Sequence, residues 1–272
     1  MKKTWKYIII LMLASCAKEA NWQMEGSADD HIVIDAIITN ESGQQSIYIY
    51  YNKTEMNEVA RAVSGAVVVV NNEDSTWQFV EDADEEGKYN SQGNIVAVTG
   101  KNYALLVLHQ DHVYSAQAYM VPGKAFPELS YQKNLHDELY HINYVASAFE
   151  QSDPAMWEIL IDWSEVSGYE NADPAQCKKR LLFYTLNTLD VSQVFAPLLE
   201  EVLFPAGSQI DQRRYSLSPG HAAFIRSLLL ETSWQGGVFP SDPANILSNI
   251  SEGGLGFFGI CAVNSLSISV EP

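Results

Sequence analysis

The sequence predicts a mainly β protein: a β-sandwich, followed by a second β-rich domain that carries one or two helices. Three observations predict it. Short apolar or alternating runs recur at roughly ten-residue spacing between turn-forming residues. Residues suited to a pleated, half-buried surface are plentiful, with 14 Tyr and 10 Phe among 272 residues. Charged residues make up only 18 % against 47 % hydrophobic ones, which is enough apolar surface for two cores.

The first residues stand apart. Lys2, Lys3 and Lys6 make a positive start, and Ile8 to Leu13 is an unbroken apolar run. A membrane-spanning helix needs about 20 apolar residues, far more than Tyr7 to Ala14 supplies. Residues 1–15 therefore read as a secretory signal peptide. Leu13-Ala14-Ser15-Cys16 has the form of a bacterial lipobox, in which small residues lead directly into a cysteine. Cys16 is the expected lipidation site, its thiol taking a diacylglycerol and its new amino group a fatty acid such as palmitate. Several acyl chains anchor stably, at about 0.8 kcal/mol for each buried CH₂. The alternative is a plain secreted protein with an incidental cysteine. Ala17, in place of an Asp, favours the outer membrane and leaves open which face. Residues 16–30 read as the lipidated N-terminus and a polar tether.

Strand-like segments then follow in order: His31 to Ile38, Ser46 to Tyr51, the valine run Gly65 to Val70, Thr76 to Glu81, Gly93 to Thr99, Tyr103 to His109 and Val113 to Val121. Seven strands with intervening turns suggest a sandwich of immunoglobulin or transthyretin type over residues 31–122. The second domain, 123–272, is less regular. Leu139 to Phe149, Trp157 to Trp163, Arg180 to Leu189 and Ile260 to Val270 are strand candidates. Ser192 to Leu203 is a candidate helix. A clearer one starts at Ser218-Pro219, since Ser caps a helix well and Pro suits its first turn, and it ends at Gly236-Gly237.

The charge excludes one class of partner. There are 16 basic residues against 34 acidic ones, a net charge of −18, and loss of the three signal lysines makes it −21. Such a chain repels nucleic acid and anionic headgroups. Beyond Cys16 the cysteines are Cys177 and Cys261, which leaves two alternatives, a disulfide or two buried thiols.

Motifs that suggest chemistry read better as structure. Gly254-Leu255-Gly256-Phe257-Phe258-Gly259 spells a dinucleotide fingerprint, but it precedes a strand where that motif must open a helix. Its glycines suit a tight loop. Asp82 to Glu86 begins like a calcium loop, yet the closing acid falls on Gly93, so a hairpin tip is expected. His136 and His141 are five apart and cannot share a helical face as metal ligands do. His109 and His112 flank Asp111 at a turn, and His221 near Ser218 belongs to a helix start. No nucleophile elbow is present. Asp162, Glu165, Glu200 and Glu201 are candidates for an acid pair, and Trp157, Trp163 and Trp234 for sugar stacking, with solvation and core packing as the ordinary alternatives. No catalytic, cofactor or metal residue emerges.

Pro243-Ala244-Asn245-Ile246-Leu247-Ser248-Asn249-Ile250, followed by Gly253 to Gly259, resembles the Bacteroidetes lipoproteins grouped as domain of unknown function 4249. Ile32 to Ala36 and Ser64 to Val69 resemble earlier segments of that group. The resemblance brings no catalytic residues and implies an envelope lipoprotein that works with a TonB-dependent outer-membrane receptor. With the lipobox, the β pattern and the absence of catalytic motifs, the expectation is an accessory protein and not an enzyme. A surface glycan- or peptide-binding protein acting alone is the second expectation, and a carboxylate-pair hydrolase the third.

Overall fold

A computed structural model describes residues 30–53, 59–189, 201–233 and 245–272. The expected signal peptide, Cys16, the tether up to residue 29 and residues 192–200 of the expected helix lie outside them, as do Glu200 and Trp234.

The described residues are mainly β. The first half supplies β1 (Ile32–Thr39), β2 (Ser46–Tyr51), β3 (Val67–Asn71), β4 (Thr76–Glu81), β5 (Lys88–Ser91), β6 (Asn102–His109) and β7 (His112–Tyr119). The second supplies β8 (Ser130–Lys133), β9 (Leu139–Tyr144), β10 (Ala155–Asp162), β11 (Lys178–Thr185), β12 (Phe204–Pro205), β13 (Gln209–Ser216), the helix α1 (Pro219–Glu231) and β14 (Leu255–Ser269). Eleven strands form one sheet in the order β11-β10-β13-β14-β1-β2-β5-β4-β3-β6-β7, and β12-β9-β8 form a small second sheet.

Alternation explains the first-half strands. Ile32, Ile34, Ala36 and Ile38 of β1 point inward and are almost fully buried, each large side chain contributing about 1.5–3 kcal/mol on burial. They meet Ile47, Ile49, Val68, Val70, Leu105 and Val107 in one core. The sheet turns around this core until β7 comes back beside β14. Ser251 closes the gap. Its N–H donates to Ser115 O at 2.9 Å, and its Oγ accepts from Ser115 N at 2.8 Å.

β14 joins the two halves. Leu255 to Cys261 run parallel to β1, from Val33↔Leu255 to Thr39↔Cys261. Ala262 to Ser269 run antiparallel to β13. A boundary near residue 122 is thus crossed by a strand from the far end of the chain. Gly256 makes the close approach to β1 feasible. Its φ is +96°, and a Cβ there would sit 2.1 Å from the carbonyl oxygen of Ile34.

A second core lies between β10, β11 and β13 on one side and the three-stranded sheet on the other, with Trp157, Ile159, Ile161, Phe204 and Ile210 buried in it. A third lies under α1, around Leu217, Ala222, Ile225 and Val263. Ser218 caps α1, its Oγ accepting from His221 N at 3.3 Å.

Several elements differ from expectation. Gly93 to Thr99 is not a strand. Ile95 and Ala97 are buried, but their N–H groups donate singly to Gly43 O and Thr39 O in an irregular segment. The fifth strand is instead Lys88–Ser91. Its polar residues gave no apolar signal, although Tyr89 is fully buried. The expected Leu139 to Phe149 strand stops at Tyr144. β13, sequence QIDQRRYS, had no apolar run to reveal it. α1 ends at Glu231, and the expected stop at Gly236-Gly237 lies outside the described residues.

Candidate functional site

The main site candidate lies where the halves meet. A cleft of about 500 Å³ is lined by the β1–β2 loop, including Glu41 and Gln44, and by Arg180, Arg213 and Tyr215. Strand register builds it. Glu158 on β10 stands opposite Arg213 on β13, and Arg180 on β11 pairs with Leu160, two residues along β10 on the same face. Glu158 is buried, and both its oxygens are used. Oε1 accepts from Arg180 Nε at 2.5 Å. Oε2 accepts from Arg213 Nη1 at 2.5 Å and from Tyr215 Oη at 2.8 Å. Arg213 then reaches across to Glu41 of the first half. Burial alone would raise the Glu158 pKa, but hydrogen bonds from Arg180 and Tyr215 and the charge of Arg213 outweigh it, and the net shift is downward. The Tyr215 hydroxyl is pushed up by burial and by donating to this carboxylate. The group is therefore a closed, charge-balanced clasp. Arg180 alone turns outward, its side chain 60 % exposed.

A smaller cleft of about 240 Å³ opens on the opposite face of β10, between Phe126, Tyr144, Trp157 and Arg214. Arg214 is buried, donates to Ser216 and pairs with Asp153 at 2.6 Å. Its guanidinium lies 5.4 Å from the Trp157 ring centre, a cation–π distance. Trp157 Nε1 donates to Thr185 Oγ1 at 2.9 Å.

Trp157, a sugar-stacking candidate in the sequence, lines the smaller cleft. For the larger cleft the available signal was charge inside strands, Glu158 in β10 and Arg213 in β13.

The expected residues scatter. Cys177 and Cys261 are free and buried, in different cores. Asp162 lies on β10, its pKa lowered to about 2 chiefly by Lys178 at 2.8 Å and by Ser164, while Glu165 is exposed in the following turn. Glu201 approaches His141 Nδ1 at 3.3 Å. His136 sits apart from that pair, exposed in the β8–β9 turn. Trp157 and Trp163 are core residues. Asp82 sits in the β4–β5 turn, its carboxylate accepting from the N–H groups of Asp84 and Glu85 and from Asn90. His109 accepts from or donates to Tyr51 Oη at 2.8 Å, at the β6–β7 turn with Asp111 and His112. No group of three or more acidic, His or Cys side chains placed to hold a metal occurs among the described residues.

The late glycine segment, 253–259, forms the start of β14 and opens no helix. Asn249 works as a brace there. Its Nδ2 donates to Phe258 O at 2.8 Å and its Oδ1 accepts from Phe258 N at 2.9 Å, so a side chain completes a backbone ladder. Ser248 Oγ donates to Gly254 O at 3.1 Å.

His221 carries a pH dependence. It is 1 % exposed, stacked on Phe257 with ring centres 4.9 Å apart, and its Nδ1 lies 3.5 Å from Cys261 Sγ. Burial lowers its pKa to about 4 and pushes the Cys261 thiol up to about 12, so neither group is activated. A buried neutral His stabilises the fold above its unfolded pKa of about 6.5 and loses that contribution as pH falls toward the folded value. Chemical-denaturation curves should lose about 3 kcal/mol between pH 6.5 and 4 from this group. A His221→Phe variant should show a flatter profile over that window, and an unchanged slope would refute the assignment.

A family model described as "Domain of unknown function (DUF4249)" matches residues 19–267. No curated protein matches the sequence.

Proposed function

The chain belongs to the DUF4249 family, and from that premise we propose that it is a lipid-anchored accessory protein of the outer membrane. In this reading residues 1–15 direct export, Cys16 carries the lipid, and the β body is tethered within reach of a TonB-dependent receptor, whose substrate it helps to capture. The observation that carries the reading is Leu13-Ala14-Ser15-Cys16 behind a short apolar run. The clasp holds the two halves of the body together, with both oxygens of Glu158 engaged by Arg180, Arg213 and Tyr215. The receptor itself comes from the family resemblance noted for the sequence.

Membrane fractionation of Cys16→Ala tests the anchor. The variant should lose its fatty acids and move to the soluble fraction, and a variant still fully membrane-bound sinks the lipid assignment. Recovery of the tagged wild-type protein in detergent without a stoichiometric outer-membrane barrel counts against the receptor partnership.

A second reading, a glycan- or peptide-binding protein acting alone, is favoured by the aromatic cleft at Trp157 and Arg214. Glycan-array binding that disappears in Tyr144→Ala would support it.

A further inference from the structure

The open edge of the large sheet carries an inference independent of the anchor. β11 ends the strand order, with β10 on one side only. Just past its end, Leu186 donates its N–H to Ala148 O at 3.0 Å and accepts from Glu150 N at 3.0 Å. Leu186 therefore turns its backbone groups away from β10. Backbone groups alternate sides along a strand, so Tyr184, Leu182, Arg180 and Lys178 present theirs to the same open side. The bond from Trp163 N to Cys177 O at 3.0 Å agrees, since it sets the odd-numbered residues toward β10. Among the described residues nothing pairs with this side between Lys178 and Tyr184. The edge has no proline, and from Leu181 to Tyr184 its side chains are uncharged and half-buried. It lacks the usual devices against pairing over that stretch.

Charge gives the edge a direction. Lys178-Lys179-Arg180 is the only run of three basic residues in a chain of net charge −18. Lys178 pairs with Asp162 and Arg180 with Glu158, but Lys179 is exposed and has no ion pair among the described residues. We propose that β11 is a docking edge for an extended acidic segment of a partner protein, which joins the sheet as a further strand with its acidic residues beside Lys178-Lys179-Arg180. Main-chain hydrogen bonds supply affinity in this mode, and side-chain pairs supply register. A second copy of this chain would bring the same basic run and another large negative charge, so it lacks the complementarity.

The test uses the full chain in detergent and two labelled octapeptides, Asp-Asp-Val-Thr-Val-Thr-Val-Thr and its reverse, which cover both strand directions. One should bind saturably by fluorescence anisotropy, and hydrogen exchange should slow at Lys178, Arg180, Leu182 and Tyr184. Lys in place of Asp in the peptide, or alternate N-methylation of it, should weaken binding at least tenfold. Leu182→Pro should bind at least tenfold more weakly with unchanged circular dichroism, because β10 does not use that N–H. Lys179→Glu should weaken binding about fivefold and gives a second measure that leaves the backbone intact. The proposal is overturned if β11 amides gain no protection with either peptide at millimolar concentration, or if the N-methylated peptide binds as well. Concentration-dependent protection of β11 without peptide, with light scattering of a dimer, would assign the edge to self-pairing and overturn it too.

Discussion

Replacing Gly256 with alanine is expected to destabilise the protein by about 3–5 kcal/mol. Two costs add. A side chain at φ +96° forces a sparsely populated backbone conformation, at about 1–3 kcal/mol. The new Cβ would also sit 2.1 Å from Ile34 O and 2.9 Å from Ile34 C and N. These are backbone atoms of β1, which cannot step aside without opening the parallel β1–β14 ladder, and overpacking costs about 1–3 kcal/mol more. Gly65→Ala is the control, because its φ is +73° and nothing lies within 4 Å of the added Cβ. It should cost about 1 kcal/mol. Urea unfolding followed by tryptophan fluorescence separates the two. Equal losses at both positions would show that the close approach to β1 does not matter.

Glu158→Gln is expected to cost about 2–4 kcal/mol. Removing one partner of a buried ion pair leaves the other uncompensated, which typically costs about 3–5 kcal/mol. The figure is lower here because Arg180 is 60 % exposed and swings into solvent, and because Arg213 keeps Glu41. Arg213→Met should cost less when added to Glu158→Gln than when made alone, since no buried carboxylate is then left without its arginine and only the partly exposed Glu41 loses a partner. A double variant as unstable as the sum of the singles would mean that the two residues act separately. The acid limb offers a second readout. The folded pKa of Glu158 is depressed, so its contribution is present above the unfolded value of about 4.3 and is lost as pH falls below it. That loss should be absent from Glu158→Gln.

Strands with a clean apolar alternation were legible in the sequence. β2 and β4 fall where Ser46 to Tyr51 and Thr76 to Glu81 place them, because alternate burial is the same property that the pattern records. β5 and β13 were not legible. Their inward positions hold Tyr89, Gln212 and Arg214, so the polar residues among them break the apolar alternation that marks a strand. Gln212 is buried because its Oε1 accepts from Leu129 N at 2.9 Å, a partner 83 residues away. The clasp stayed hidden for the same reason, since Glu41 and Arg213 meet only through tertiary structure. The acid candidates were Asp162, Glu165, Glu200 and Glu201, whereas the carboxylate that the fold buries is Glu158. Gly253 to Gly259 were recognisable as a motif, and the reason emerges only in three dimensions, as the room that β14 needs against Ile34.

That shared strand fixes when the protein can fold. Val33 must wait for Leu255, and the core of the first half takes Ile250, Phe258, Ile260 and Ala262 from far downstream in the sequence. Pairings so distant in sequence make for slow folding, and the usual progression, in which an N-terminal domain folds before the rest is made, is closed to this chain. Until β14 arrives, β1 presents an unpaired, isoleucine-rich edge. The interval between synthesis and completion is therefore the period in which the chain is most open to aggregation and most dependent on whatever keeps it extended.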